Sequence, residues 1–288
     1  MTQETISTVM GNGSVEPTCA RRAWSKNRVK PSQASQRVLI MPGTGYNCDR
    51  PLLYYAAMAL IEDGWYVDRL DVNADLSKTP APKIFAMLSH AVDEWLADVR
   101  RDAVDVAHTG DASVVESMRE SVLANDSTTN DSTTNDSVTN NSATNDSTMN
   151  SFKVSCTSTQ AECAGKNMPR TLVVGKSLST FIYPHVDSLG VPMALLTPVF
   201  SPAPFDPAQS VIPVPGDADY IVGSASQPLI CAGTADPLFD DARAHRLSDL
   251  IHEYPDANHS IEVPGDWGRS MDYLRDVTQQ VVAYARKV

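Results

Sequence analysis

Three short stretches of this chain put a hydroxyl, a carboxylate and an imidazole where strands should end. The apolar run Thr171-Leu172-Val173-Val174 passes straight into Gly175-Lys176-Ser177-Leu178-Ser179-Thr180. A serine with small residues two positions to either side, at a strand-to-helix turn, follows the G-x-S-x-G nucleophile-elbow pattern. Bulky neighbours there would collide across a strained turn, and Ser179 stands where the second glycine would be. A second apolar run, Leu229-Ile230-Cys231-Ala232, leads through Gly233 to Asp236-Pro237. In the third stretch, residues 251–262, Asp256-Ala257-Asn258-His259-Ser260 breaks the apolar pattern. Together such groups perform acyl transfer. The hydroxyl attacks a carbonyl, the imidazole takes its proton, and a buried carboxylate holds the imidazole tautomer and stabilises its charged form. The chain order Ser177, Asp236, His259 is nucleophile, acid, base.

Each role has rivals. The histidines are His90, His108, His185, His245, His252 and His259, and only the last three follow Asp236. His245 falls inside a predicted helix over 241–251, and His252 at its end, where a partner for the helix dipole accounts for it. His259 alone lies in a loop before the closing helix. Asp240 and Asp241 compete with Asp236, but they read as capping or first-turn acids of the helix that follows. Lys176 reads as a surface or supporting residue rather than a base, and Cys231 as inert core. Asp266 and Trp267 border the base loop, where pocket shaping and capping fit equally. Gly175-Lys176-Ser177 also ends a phosphate-binding loop, but that pattern needs glycine where Arg170 stands. Gly43-Thr44-Gly45 begins a dinucleotide fingerprint whose third glycine would fall on Cys48. No cofactor and no metal is expected.

The elements that must position these residues alternate. Residues 37–41 are an apolar run stopped by Pro42-Gly43, as a buried strand should be. Residues 51–63 predict a helix, 65–72 a second strand, and 83–99 an amphipathic helix carrying Ile84, Leu88, Val92 and Trp95 on one face. Strands follow at 171–174, 193–196 and 229–232, and helices at 241–251 and 269–287. This rhythm predicts an α/β fold, a mainly parallel sheet flanked by helices, with chemistry at the carboxyl ends of the strands. Between Thr197 and Gln227 the prolines 198, 202, 204, 207, 213 and 215 break the chain too often for a helical lid. They predict a stiff loop rimming an open site.

Two segments stand outside the rhythm. From Asn125 to Ser151 the chain repeats NDSTT-like units almost without apolar residues. Such a low-complexity tract cannot bury enough surface to offset its ordering entropy, so a disordered insert is expected over about 109–168. Its Asn-x-Ser triplets read as repeat composition rather than glycosylation sites. Residues 1–36 also lack a pattern and are expected to form a poorly ordered tail. The reading is therefore one domain over 37–288, interrupted by the insert.

Composition narrows the partners. A net charge of −12 argues against nucleic acid or an anionic membrane surface. No run approaches the apolar length needed to span a bilayer. The polar start lacks a secretory pattern, and the five cysteines are odd in number and scattered. A reduced, cytoplasmic protein acting on a small molecule is expected.

With these residues in place, the runs VLIMPGTGYNCDRPLL, VVGKSLST, LICAGTADPLFD and NHSIEVPGDWGRS resemble small single-domain α/β-hydrolases, including dienelactone-hydrolase-like members with a GKSLG elbow. The resemblance covers 37–108 and 169–288. It implies a lidless α/β-hydrolase fold with Ser177 as nucleophile, Asp236 as acid and His259 as base. It also places oxyanion-hole amides at Leu178 and in the loop after Gly43, at Thr44. Pro42-Gly43 replaces the usual His-Gly before that loop. The function so implied is hydrolysis of a small carboxylic ester or thioester through an acyl-enzyme. A non-catalytic α/β-hydrolase scaffold for protein interaction is the competing reading, since fold alone does not fix function.

Overall fold

The computed structural model describes residues 17–73, 80–124, 168–203, 210–221, 223 and 227–288, with backbone alone for 105–124. Its centre is a seven-stranded sheet in the order β1-β3-β2-β4-β5-β6-β7. The strands are β1 (Thr18–Ala23), β2 (Gln36–Met41), β3 (Tyr66–Asn73), β4 (Arg170–Lys176), β5 (Met193–Leu196), β6 (Leu229–Gly233) and β7 (Ile251–Tyr254). All neighbours pair in parallel except β1, which runs antiparallel to β3. From β2 the chain builds outward to β3 on one side and from β4 to β7 on the other. The switch point therefore lies between β2 and β4, where α/β sheets open a crevice beyond their strand ends.

Successive residues of a strand face opposite sides, and the core divides accordingly. Val38, Ile40, Leu172 and Val174 face α1 (Pro51–Glu62) and the closing helix α5 (Trp267–Ala285). Both helices present stripes at helical spacing: Leu52, Ala56 and Leu60 on α1, and Val277, Val281 and Tyr284 on α5. Leu39, Met41, Val173 and Leu195 face the other way. There they meet Ile84, Leu88, Val92 and Trp95 of α2 (Ala81–Ala124), with the short α3 (Tyr183–Ser188) and α4 (Asp241–Leu247) alongside. One buried charge is built into this layer. Arg37 reaches Asp68 at 2.9 Å and Asp102 at 2.6 Å, and the Trp95 indole N–H donates to Asp68 at 2.9 Å.

The chain divides into two compact units, 1–102 with 169–288, and 103–168. The first holds the sheet. The second is described only where α2 continues to Ala124, well past the end at 99 read from the sequence and into the flank assigned to the insert. Ala, Glu, Met and Arg between 112 and 124 favour a helix despite the Thr109-Gly110 punctuation. The repeat tract lies outside the described residues.

The tail expected over 1–36 is corrected in part. Residues 1–16 lie outside the described residues, but Thr18–Ala23 form the edge strand, with Arg21 paired to Asp98. Beyond it Trp24 is buried, its N–H donates to Val67 at 2.9 Å, and Asn27 makes a two-way side-chain bridge to the same backbone. Those two residues anchor a strand whose own charges hide its period. A second correction concerns 241–251. The helix stops at Leu247, where extended Ser248 bonds Pro228 through its hydroxyl at 2.7 Å, and His252 lies in β7. The Pro-rich loop is also more deeply packed than a rim. Phe200 and Ile212 are buried, and Phe200 N–H donates to Leu238 at 2.8 Å. Among the described residues between β5 and β6 there is no helix or strand.

Candidate active site

Ser177 follows the last residue of β4 with φ +51°, in the left-handed region that a serine occupies only at a cost of about 1–3 kcal/mol. Two glycines leave room around this turn. A Cβ on Gly175 would meet the Met193 side chain at 2.6 Å, and one on Gly43 would lie 3.0 Å from Ser177 Cβ and 3.1 Å from the Lys176 carbonyl. Ser179 does more than stay small. Its hydroxyl donates to the Pro42 carbonyl and ties the elbow to the end of β2. Thr180 Oγ1 donates to the Ser177 carbonyl at 2.6 Å, closing the first turn of a short 3-10 helix, Ser177–Ile182.

Asp236 and His259 come from neighbouring strand ends that are laced together. Ala235 N–H donates to the Ala257 carbonyl at 3.0 Å, and Asp256 N–H to Thr234 Oγ1 at 3.0 Å. Gly233 permits this approach, since a Cβ there would sit 2.1 Å from the Ala257 carbonyl oxygen. Asn258 shapes the next turn, its Oδ1 accepting from Ser260 N–H at 2.8 Å and Glu262 N–H at 3.1 Å. His259 is thereby aimed at both partners. Its Nδ1 lies 2.7 Å from Asp236 Oδ2, and its Nε2 lies 2.7 Å from Ser177 Oγ. The Asp236 side chain is wholly buried, and its other oxygen accepts from Leu238 N–H at 3.0 Å. A carboxylate only accepts, so the neutral ring carries its proton on Nδ1 and offers Nε2 to the serine hydroxyl. That arrangement can draw the serine proton and return it.

The two residues named for oxyanion contacts flank this centre. Thr44 is exposed in the turn Gly43-Thr44-Gly45-Tyr46, where Gly45 takes φ +62°. The Gly43 N–H donates to the Tyr46 carbonyl at 2.9 Å. Leu178 is the second residue of the 3-10 helix, where a first-turn N–H has no partner within the helix. A cleft of about 80 Å³ lies here, lined among others by Gly43, Thr44, Gly45, Val72, Leu88 and Leu178. A larger groove of about 390 Å³ lies between α1 and α5, lined among others by Ala59, Glu62, Thr278, Val282 and Arg286, and none of the triad residues lines it.

The rivals separate cleanly. Asp240 caps α4 by accepting from Arg243 N–H at 2.9 Å, and Asp266 caps α5 by accepting from Arg269 N–H at 3.0 Å. His245 lies 3.1 Å from Asp241 on one helix face. Those two and Glu253 bring three ligand atoms within 4.8 Å, all on exposed side chains. Cys231 is buried and its thiol is pushed up to about 12 by burial. Trp267 is exposed rather than a pocket wall.

Of the two roles read for Lys176, surface and supporting, the structure shows the second. It is not on the surface: it is 1% exposed. Its Nζ donates to the His259 carbonyl at 3.1 Å and stands 4.5 Å from the centre of the Tyr46 ring. Burial pulls its proton affinity down to about 8, against the opposing pull of Asp236 and Glu262. The signal was available, because a strand covered on both faces buries its last side chain as well.

No protein-family model matches this sequence, and no curated protein does. Similar solved structures include an α/β serine hydrolase without lid from Xanthomonas campestris, at 13% identity over 94% of this chain and 88% of that one, with TM-score 0.47. An α/β serine hydrolase homologue from Coxiella burnetii shares 13% identity over 91% and 90%, with TM-score 0.44. Mouse α/β hydrolase domain-containing protein 10 shares 9% over 96% and 97%, with TM-score 0.46.

Proposed function

We propose that this chain is a serine hydrolase of the α/β-hydrolase kind, cleaving a small carboxylic ester or thioester through an acyl-enzyme. The observation that carries the reading is one imidazole bridging Ser177 Oγ and Asp236 Oδ2 at 2.7 Å on each side, with all three groups supplied from separate strand ends. Ser177 Oγ would bond to the carbonyl carbon as its proton passes to His259 Nε2. Asp236 holds the ring and balances the imidazolium. The Leu178 and Thr44 amides would receive the oxyanion, a contribution that oxyanion donors make at about 3 kcal/mol each in serine hydrolases. Collapse expels an alkoxide or thiolate that takes the proton back from His259, and water repeats the sequence on the acyl-enzyme. The 80 Å³ cleft beside Leu178, with Val72 and Leu88 as apolar wall, supports a small group there, being about three water volumes. The GKSLS elbow keeps the dienelactone-hydrolase-like resemblance within this reading. The free thiols Cys19, Cys48 and Cys231 are the ground for placing the enzyme in the cytoplasm.

A series of p-nitrophenyl esters of graded acyl length, run beside Ser177→Ala, tests the function. Short esters should be turned over, and the rate should fall in acid as the base takes up a proton. A serine-directed phosphonate should add to the peptide holding Ser177, and His259→Ala should suppress the adduct. Labelling elsewhere, with activity surviving in Ser177→Ala, would refute the mechanism and leave the scaffold reading.

A further inference from the structure

We infer that Lys176 is a positioning residue of this reaction: its ammonium clamps the backbone of His259 and the Gly43–Tyr46 turn against the elbow, keeping the imidazole aligned on Ser177. The inference rests on the serine-hydrolase reading and adds to it a residue outside the triad.

Three elements converge on this one side chain. Lys176 is the last residue of β4, so its backbone leads directly into the nucleophile. Its Nζ holds the carbonyl of the base residue at 3.1 Å. It also lies over the ring of Tyr46, whose backbone closes the turn bearing Thr44 through paired bonds with Gly43 at 2.9 and 3.2 Å. The lysine meets the histidine backbone, whereas His259 Nε2 meets Ser177 Oγ, so Lys176 acts through His259 and stays out of the proton path.

The cost of the arrangement shows that it is used. A buried ammonium gives up hydration that a carbonyl and a ring face only partly replace. A methionine would fill the same space at the end of a buried strand without that penalty. The groups facing the ammonium are the Tyr46 phenol on the turn, Asp236 beyond β6, and His259 and Glu262 on the base loop. Its proton affinity, held down to about 8 by burial, leaves it charged at neutral pH and neutral in mild alkali. A neutral amine loses both the charge-assisted bond and the attraction to the ring.

Lys176→Met is the test, with p-nitrophenyl butyrate turnover, phosphonate labelling and thermal melting measured together. Misalignment of a catalytic group by a fraction of an ångström to 1 Å costs up to about 100-fold, so kcat should drop about 10- to 100-fold with KM changed less than about two-fold. The melting temperature at pH 7 should not fall. In the native protein kcat should decline above pH 8, and this alkaline limb should be missing from K176M. Lys176→Ala should regain rate with added propylammonium but not with propanol. A K176M kcat within two-fold of native, or a rescue that propanol matches, would overturn the inference while leaving Ser177 labelling intact. If K176M does not fold, the native alkaline limb decides, and a kcat flat from pH 7 to 10 overturns it. Absence of phosphonate labelling at Ser177 in the native protein would instead sink the hydrolase reading, and this inference with it.

Discussion

Among the described residues two cationic side chains are buried, and they are treated in opposite ways. Arg37, 3% exposed, is met by two carboxylates at 2.9 and 2.6 Å. Burial works against its charge, but Asp68 and Asp102 outweigh that and hold its proton affinity above the ordinary arginine value. Lys176 is more deeply buried and receives a carbonyl and a ring face, with carboxylates acting only from a distance, and its proton affinity falls. The first charge joins β2, β3 and α2, so it secures the fold. The second sits where the backbone is also strained, beside Ser177 at φ +51°. The elbow carries an uncompensated local cost, whereas the Arg37 charge is matched by its carboxylates. A site that must hold reactive groups in one geometry concentrates such local costs.

The largest expected effect tests the elbow directly. Ser177→Ala should lower turnover by more than about 1,000-fold, as loss of the nucleophile does in serine hydrolases, while stability stays level. Ser177→Gly should be as inactive but more stable than the alanine variant by about 1 kcal/mol, because glycine takes positive φ without strain. Equal stability of the two in urea unfolding would mean that the turn stores no strain. The opposite signature belongs to Arg37→Met. It leaves Asp68 buried against Trp95 without its cation and should cost about 3–5 kcal/mol, with kcat of the folded enzyme unchanged. A loss of kcat without a loss of stability would reverse the roles assigned to the two cations.

Next in size is the pH dependence of the lysine. Its proton affinity is about 8 in the folded chain and 10.5 for an ordinary lysine, so unfolding takes up a proton between those values. Native stability therefore gains from this group as pH rises from 8 to 10.5, and the charge counts against folding below 8. The buried thiols of Cys19, Cys48 and Cys231, pushed up to about 11 to 12, act in the other direction above their ordinary value of 9. They cancel when K176M is compared with the native chain. The unfolding free energy of K176M relative to native should shrink by about 3 kcal/mol from pH 7 to 10.5. A difference independent of pH would show that Lys176 is not held against its charge.

The parts of the molecule visible in the sequence are those set by local pattern. Residues 193–196 form the strand their apolar run predicts, and the elbow is legible because small residues must flank a strained serine. The order of Ser177, Asp236 and His259 brings together the side chains that the structure places in contact. What escaped is set by distant partners. β1 carries arginines whose partners, Asp98 and Asp71, lie 77 and 49 positions on. β7 is four residues of which only Tyr254 is buried, and they merge with the helical period before them until Ser248 turns the chain. Lys176 stays open between a surface and a supporting role in the sequence: its place at a strand end points to burial, but nothing adjacent announces the His259 carbonyl or the Tyr46 ring. Local pattern identifies what a residue can do, and burial decides whether it does it.

The smallest expected effect separates a supporting acid from a working one. Asp266 lies seven residues after His259 and borders the base loop, so pocket shaping and capping were both open from its position. Its Oδ1 accepts from Arg269 N–H at 3.0 Å, and its own N–H donates to the Val263 carbonyl at 3.0 Å, which makes it the first fixed residue of α5. That helix buries Val277, Val281 and Tyr284 against the face of the sheet shared with α1, far along the chain from the triad. Asp266→Ala should therefore cost about 1 kcal/mol, the usual worth of a cap, and Asp266→Asn should restore most of it. Neither should move kcat or its pH profile beyond experimental error. If both variants instead lose turnover with their melting temperatures unchanged, Asp266 acts on the base loop. The line drawn between stabilising and reacting carboxylates would then fall on its far side.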